Sequence, residues 1–203
     1  DWARRKRLQV GEMVWESVYQ QDPTAARGGR LFGRYSDENA TPDAVFRDDL
    51  PLAVTFDFNI NPGMHVLGGH HDPRADVFTF AGEIHEPRLD VRSAMELVNK
   101  RWVDPLAPKW KSKGRPLPVH IYGDPSGASE SITRSESGYD IIRASLRMRK
   151  DVEVSERVAK KSPKPIDIAE SMNDALLGLD GVRRVRIHPS CVRLITDLRN
   201  VMP

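Results

Sequence analysis

Hydrophobic and polar positions follow a helical spacing early in the chain, a two-residue alternation in its middle, and helical and alternating stretches in turn towards its end. Met13, Val14, Trp15, Val18 and Tyr19 are spaced to line one face of a helix behind the basic run Arg4-Arg5-Lys6-Arg7. Asp22-Pro23 stops that helix, and Gly28-Gly29, Asn39-Ala40-Thr41-Pro42 and Asp48-Asp49 read as loop. Residues 1–50 hold too few apolar side chains to fold alone. They are expected to form an arm or linker that packs on a main domain over residues 51–203 or joins it to something upstream.

From residue 51 strands dominate. Leu52-Ala53-Val54-Thr55-Phe56-Asp57-Phe58 is a short run of strand formers, stopped by Asn59 and Asn61-Pro62-Gly63. Met64–Gly69 predicts a second strand, His70-His71-Asp72-Pro73 a turn, and Val77–Ile84 a third strand. Connections this short make the three antiparallel neighbours. Val91, Ala94, Met95, Leu97, Val98 and Trp102 keep a helical period. Pro105, Pro108, Pro116 and Pro118 then predict a long loop carrying Lys109, Lys111, Lys113 and Arg115. Val119–Tyr122 is a fourth strand, parallel to a neighbour because a helix intervenes. Tyr139–Met148 predicts a helix, Val152–Val154 a strand, Lys160–Pro165 a basic loop, Ile166–Leu179 a helix, Arg184–Pro189 a short strand and Val192–Val201 a last helix. Three antiparallel strands followed by parallel crossovers, with flanking helices on a mixed sheet of five or more strands, is the order of an RNase H-like α/β fold.

Composition narrows the class. A chain of 203 residues, 39% hydrophobic and 30% charged, suits one core-bearing domain with an arm. No apolar run approaches the roughly 20 residues that span a bilayer, and the opening DWARRKRLQV has charges but no apolar signal region. Cys191 is the single cysteine, which excludes an internal disulfide framework and a cysteine zinc cage and makes an intracellular compartment the default. Net charge is only +2, against a uniformly basic nucleic-acid binder, but the charges segregate. Residues 51–100 carry four basic and seven acidic side chains; residues 101–150 carry ten and five. That distribution suits a metal site beside a polyanion groove, although solvated surface is the plainer account.

Two acids carry the chemistry. Asp57 sits near the end of an apolar strand, where a charge is costly unless paired or metal-bound; a turn cap is the simpler reading. Asp124 follows Val119-His120-Ile121-Tyr122-Gly123, at the carboxyl end of a buried strand, where α/β sheets bind ligands. A plain Asp-Pro turn competes with that reading. Asp124-Pro125-Ser126-Gly127 does not make a P-loop, since an acid leads it and no Lys follows. In an RNase H-like sheet the first and fourth strands are adjacent, so both carboxylates emerge side by side. Their repulsion is relieved by a hard divalent cation with oxygen ligands, Mg²⁺ or Mn²⁺, and two such ions would activate water and stabilise the leaving oxygen of a phosphodiester.

These segments resemble the nuclease portion of the large terminase subunit of tailed bacteriophages. Trp15–Pro23 with Gly28-Gly29-Arg30-Leu31-Phe32 resembles the stretch after that family's ATPase domain. Phe56–Pro62 resembles its first strand and metal-binding aspartate, and Tyr122–Gly127 its second acidic motif. Arg186–Cys191 with Leu194-Ile195 and Asp197-Leu198 resembles the stretch near its end. The resemblance implies metal-dependent endonucleolytic cutting of concatemeric viral DNA during genome packaging, in the host cell cytoplasm. Its implied partners are double-stranded DNA, a terminase ATPase domain, the small terminase subunit and the portal, and no membrane. No Walker A sequence occurs, so the match covers the nuclease and not the ATPase. The family's third acid usually lies in an Asp-Ala-Leu-like helix beyond the segment matching His188–Val201, and the sequence stops at Pro203. Asn173-Asp174-Ala175-Leu176 falls too early and reads as helix surface. Asp197 is a substitute candidate. Glu83, ending the third strand, is another, although an edge-strand charge explains it more simply.

Other residues weigh less. His70-His71-Asp72 has zinc-type side chains but no third partner nearby and reads as an exposed turn. Cys191 reads as a small buried thiol, and Ser126 and Ser129 lack His–Asp partners. For DNA the best cations are Arg143 with Arg147, one helical turn apart beside Arg149 and Lys150; Arg184 with Arg186, on one face of a strand; and the loop bearing Lys109, Lys111, Lys113 and Arg115. Ordinary solubility is the competing account for each set. Two other functions fit the pattern: a Holliday-junction resolvase-like nuclease, and a non-catalytic DNA-binding or docking module of a packaging motor.

Overall fold

In the alternation Leu52, Val54, Phe56, all three side chains are buried on one face of a strand, as a two-residue period dictates. A computed structural model describes residues 2–10, 30–58, 64–128 and 136–201. The expected helix over Met13–Tyr19, the Trp15–Pro23 and Gly28-Gly29 segments, and residues 59–63 lie outside the described residues. Six strands form one sheet: β1 (Leu52–Asp57), β2 (His65–Asp72), β3 (Val77–His85), β4 (Leu117–Gly123), β5 (Val152–Glu156) and β6 (Val185–Ile187). Their order is β5-β4-β1-β2-β3-β6. β2 is antiparallel to β1 and β3, while the β1–β4, β4–β5 and β3–β6 pairs are parallel. Every strand except β2 therefore points the same way, and the sheet has a distinct carboxyl edge. This is the RNase H-like arrangement.

The helices among the described residues are α1 (Trp2–Val10), α2 (Val91–Val98), α3 (Asp104–Lys111), α4 (Gly138–Arg147), α5 (Pro165–Leu176) and α6 (Val192–Asn200). None is long and apolar enough to cross a membrane. One core lies where α2, α3 and α4 cover Leu52, Val54, Phe56, Val66, Ile84, Val119 and Ile121. A second gathers Leu176, Val185, Ile187, Cys191, Ile195 and Leu198 with Tyr35. Residues 31–50 are fastened over this second core. The Asn39 amide donates to the carbonyls of Leu176 and Val185 (2.9 and 3.0 Å), and the Leu31 and Thr41 amides donate to Val201 and Ile187.

Two expectations are overturned. His70-His71-Asp72 is strand, not an exposed turn. His70 is buried; its Nε2 accepts from the Arg47 amide (2.8 Å), and its Nδ1, 2.7 Å from the Pro51 carbonyl, donates to that oxygen. Burial also pulls its pKa down, so a neutral imidazole with fixed roles is part of the core. The expected Pro-rich loop is largely helix. α2 continues through a π-turn at Asn99–Val103 into α3. The Asp104 amide bonds back five residues to Asn99, just before Pro105, whose ring nitrogen has no hydrogen to continue a regular ladder. Burial of Leu106, Ala107 and Trp110 holds α3 despite Pro108.

Candidate active site at the carboxyl edge of the sheet

β1 and β4 run in register from Leu52↔Val119 to Phe56↔Gly123. Asp57 closes β1 and Asp124 follows β4, so the next residue of each strand is an exposed aspartate. Neighbouring strands lie about 4.8 Å apart. The expected adjacency of the first and fourth strands holds, and it brings the two acids to one place on the carboxyl edge.

Local packing fixes that place. Gly123 has φ +154°, and a Cβ there would stand 2.5 Å from the Phe56 carbonyl oxygen and 2.5 Å from the Tyr139 hydroxyl oxygen. The Tyr139 hydroxyl donates to the Asp124 carbonyl (2.9 Å). Burial, with the nearby Asp124 and Glu156 charges, pushes Tyr139 up to about 12, which keeps that donor protonated. Phe58, directly after Asp57, meets Tyr139 edge-on at 5.0 Å. Its ring occupies the space in which Gly127 and Gly138 have no side chain: a Cβ on either would collide with it. The residue after one acid thus locks the loop after the other.

Asp124 is held ionised. The Ser126 amide donates to its Oδ1 (2.7 Å), and the Ser162 hydroxyl to its Oδ2 (3.2 Å). Ser126 foremost, then Ser162, pull its pKa below the ordinary carboxylate value. Ser162 comes from the basic segment between β5 and α5, to which the sequence alone assigns no role.

The other acids are differently placed. Glu83 is no edge charge: its side chain is only 7% exposed. Its Oε1 accepts from His65 Nε2 (2.7 Å) and the Leu194 amide (2.8 Å), and its Oε2 from the Arg193 amide (2.8 Å). Burial raises its pKa, but His65 and the two amides outweigh that and leave it lowered. It clamps the first turn of α6. Asp197 pairs with Arg193 on the same helix (3.1 Å). Asp174 is on the surface of α5 and pairs with Arg34 (2.7 Å). Among the described residues, no group of three or more His, Cys, Asp or Glu side chains is arranged to hold a metal ion. Cys191 is buried, its thiol pushed up to about 12 by burial.

The expected DNA cations divide by position. Arg143 reaches the carboxyl edge but is paired with Asp140 (2.5 Å) and Glu156 (2.8 Å). Arg184 is paired with Asp180 and Asp76 at the start of β6. Arg147 and Arg186 are exposed and form no ion pair among the described residues. Arg147 ends α4, far from the end beside Gly127. Lys113 is paired with Asp48 (3.2 Å), ahead of β1. Lys111 lies near Asp151, whose carbonyl accepts from Leu117 at the start of β4. Lys111 and Lys113 therefore belong to the amino edge. Seven residues of β4, at about 3.3 Å each, separate them from Asp124. They do not border the acid pair. Sequence reading missed Tyr139, Phe58, Ser162 and His65; of these only Ser162 carried a signal, its basic neighbours.

An RNase H-like sheet with two aspartates at the carboxyl ends of its adjacent first and fourth strands defines the class. No protein-family model and no curated protein matches the sequence. Solved structures do match the fold. One is the nuclease domain of the large terminase of bacteriophage P22, with TM-score 0.51 and 14% identity over 85% of this chain and 78% of that one. Another is the large terminase of a thermophilic bacteriophage in complex with ATP-γ-S, with TM-score 0.52 and 16% identity. That match covers 84% of this chain and 36% of the thermophilic phage protein, so this chain spans about a third of its length. The fold is that of the phage terminase nuclease domain.

Proposed function

We propose that this chain is a divalent-metal-dependent DNA endonuclease that cuts concatemeric viral DNA during genome packaging. The observation that carries this reading is the β1–β4 register, which sets Asp57 beside Asp124 in a sheet with the terminase nuclease fold. The pair fits a hard cation. Both donors are carboxylate oxygens, and Asp124 is kept ionised by Ser126 and Ser162. Asp57 and Asp124 would hold Mg²⁺ or Mn²⁺, with further ligands from outside this pair. When bound, two such ions supply an activated water and charge stabilisation of the leaving oxygen. The chain's own contribution is to fix the acids through Gly123, Phe58 and Tyr139. Double-stranded DNA is the substrate on this reading, and a terminase ATPase domain, the small subunit and the portal are the partners.

Asp57→Asn and Asp124→Asn should each abolish Mn²⁺-dependent nicking of supercoiled plasmid while leaving the circular dichroism spectrum unchanged, because a neutral amide does not offset a divalent charge. Wild-type-like cleavage by either variant, freed of host nuclease, removes that residue from the mechanism. The absence of a three-acid group among the described residues favours a second reading, a non-catalytic DNA-docking module. Failure of the parent chain to nick plasmid at any Mn²⁺ concentration would establish it over the first.

A further inference from the structure

Beside the acid pair runs a basic segment, residues 157–164, between β5 and α5. It leaves β5 at the carboxyl edge, where the Arg157 amide donates to the Ile121 carbonyl (2.8 Å) and carries the β4–β5 pairing one step further. Val158 packs against the first core. Ser162 bonds the Asp124 carboxylate (3.2 Å). Pro163 borders a surface groove with Phe78, Phe80 and Ile168, and Pro165 opens α5. The segment is thus fixed at Arg157, at Ser162 and at α5, and it crosses the edge next to Asp124.

Its charges are unused within the fold. Arg157, Lys160, Lys161 and Lys164 are exposed, and none forms an ion pair among the described residues. An Nη of Arg157 lies 3.4 Å from His120 Nε2. Arg143, Arg184 and Lys113, by contrast, are each neutralised by an acid. Four cations over eight residues, in no ion pair among the described residues and held beside Asp124 through Ser162, present a positive rim to whatever approaches the acids.

We propose that residues 157–164 form a phosphate-binding strap. Arg157, Lys160, Lys161 and Lys164 would take the sugar-phosphate backbone of the DNA strand lying at Asp57 and Asp124. This rests on the nuclease reading for the identity of the polyanion. The contacts are to phosphate, so the strap positions DNA without reading its sequence. Ser162 holds the strap at the acid pair, so bound phosphates are brought to the edge where the two aspartates stand.

The test is a salt titration in EDTA, so that binding is read without cutting. A labelled duplex of about 30 base pairs is titrated with the parent chain, with a Lys160→Ala, Lys161→Ala, Lys164→Ala triple variant, and with a Lys109→Ala, Lys111→Ala, Lys113→Ala variant of equal charge change on the amino edge. Each lost phosphate contact lowers the log–log slope by about 0.9. The strap variant should therefore lose about 2.7 units of slope, so that raising salt from about 50 to about 200 mM costs it about 40-fold less affinity than the parent. The amino-edge variant should keep the parent slope. An unchanged slope in the strap variant, an equal fall in both, or no duplex binding by the parent overturns the strap. All three lysines are exposed, and a thermal melt matching the parent's confirms that the fold is kept. The two readings separate cleanly: a lowered slope with no nicking retains the strap and removes the nuclease, while nicking with an unchanged slope does the reverse.

Discussion

Glu83 offers a test of how the carboxyl edge is built. Its carboxylate accepts three hydrogen bonds, from His65 Nε2 and from the amides of Arg193 and Leu194, each at 2.7–2.8 Å, with its side chain 7% exposed. Hydrogen bonds to a charged group contribute roughly 1.5–3 kcal/mol each, and an acid at a helix N-terminus adds up to about 2 kcal/mol. Those gains are partly offset by the cost of burying the carboxylate, so the sum is not the effect. Breaking a buried pair costs about 3–5 kcal/mol. Here the Arg193 amide can be hydrated once the acid is gone, which places Glu83→Ala near the lower end, at about 3 kcal/mol. In a domain of this size that is a fall in melting temperature of roughly 6–12 °C. Glu83→Gln keeps an acceptor oxygen and should cost about half as much.

The pH dependence supplies a second reading of the same residue. The folded pKa of Glu83 is lowered, so the folded state binds fewer protons at this site than the unfolded state. Its contribution is therefore fully present above the unfolded value of about 4.3 and lost as the pH falls through the folded value. Urea denaturation, followed by far-ultraviolet circular dichroism from about pH 7 to about pH 3, should show the gap between parent and Glu83→Ala closing below about pH 4. A cost under about 1 kcal/mol at neutral pH, or a gap equal at both ends of that range, would refute the clamp.

Gly127→Ala drives a methyl into the Phe58 ring and should cost about 1–3 kcal/mol in urea denaturation, as overpacking does, with nicking lost beyond what the stability change explains; unaltered stability would show that Phe58 does not lock this loop. Metal should stabilise the fold by mass action. Mn²⁺ at about 100 times its dissociation constant should add about 2.7 kcal/mol, a melting shift of roughly 5–11 °C that Asp57→Asn abolishes, and an unmoved melting temperature at every Mn²⁺ concentration would deny that the acids form a ready-made site.

The antiparallel β1, β2 and β3 are legible in the sequence because their connections are short, and the parallel course of β4 because a helix precedes it. The β1–β4 adjacency that brings Asp57 beside Asp124 follows only from the RNase H-like order, and nothing local shows that β6 joins β3. What stays hidden depends on partners distant in sequence. His70 looks like a turn residue until the Arg47 amide and the Pro51 carbonyl, about twenty residues upstream, satisfy both ring nitrogens. The prolines of α3 read as breakers because local propensity says nothing of the core that Leu106, Ala107 and Trp110 enter. Glu83 looks like an edge charge because nothing local announces that α6 will set two amides on it. The basic segment at Lys160–Lys164 is visible as composition, but its place beside Asp124 depends on one side-chain bond from Ser162.

A charge already neutralised within the fold has little to offer a ligand, and that distinction sorts the edge. Glu83 is engaged by three donors and Asp197 by Arg193, so both serve α6. Arg143 and Arg184 are matched by acids on their own or neighbouring elements. Asp124 differs in kind. Its donors are the Ser126 side chain and amide and the Ser162 hydroxyl, which hold the carboxylate ionised without cancelling its charge. The lysines of the strap likewise form no ion pair among the described residues. Negative and positive groups thus stand side by side at the end of β4, within reach through Ser162, yet the strap lysines do not collapse onto the acids. Pro163 within the strap, and Pro165 directly after it, restrict its backbone, which favours that separation. An arrangement of this kind fits a ligand that carries both charges to the edge, a polyanionic backbone for the lysines and a cation for the aspartates.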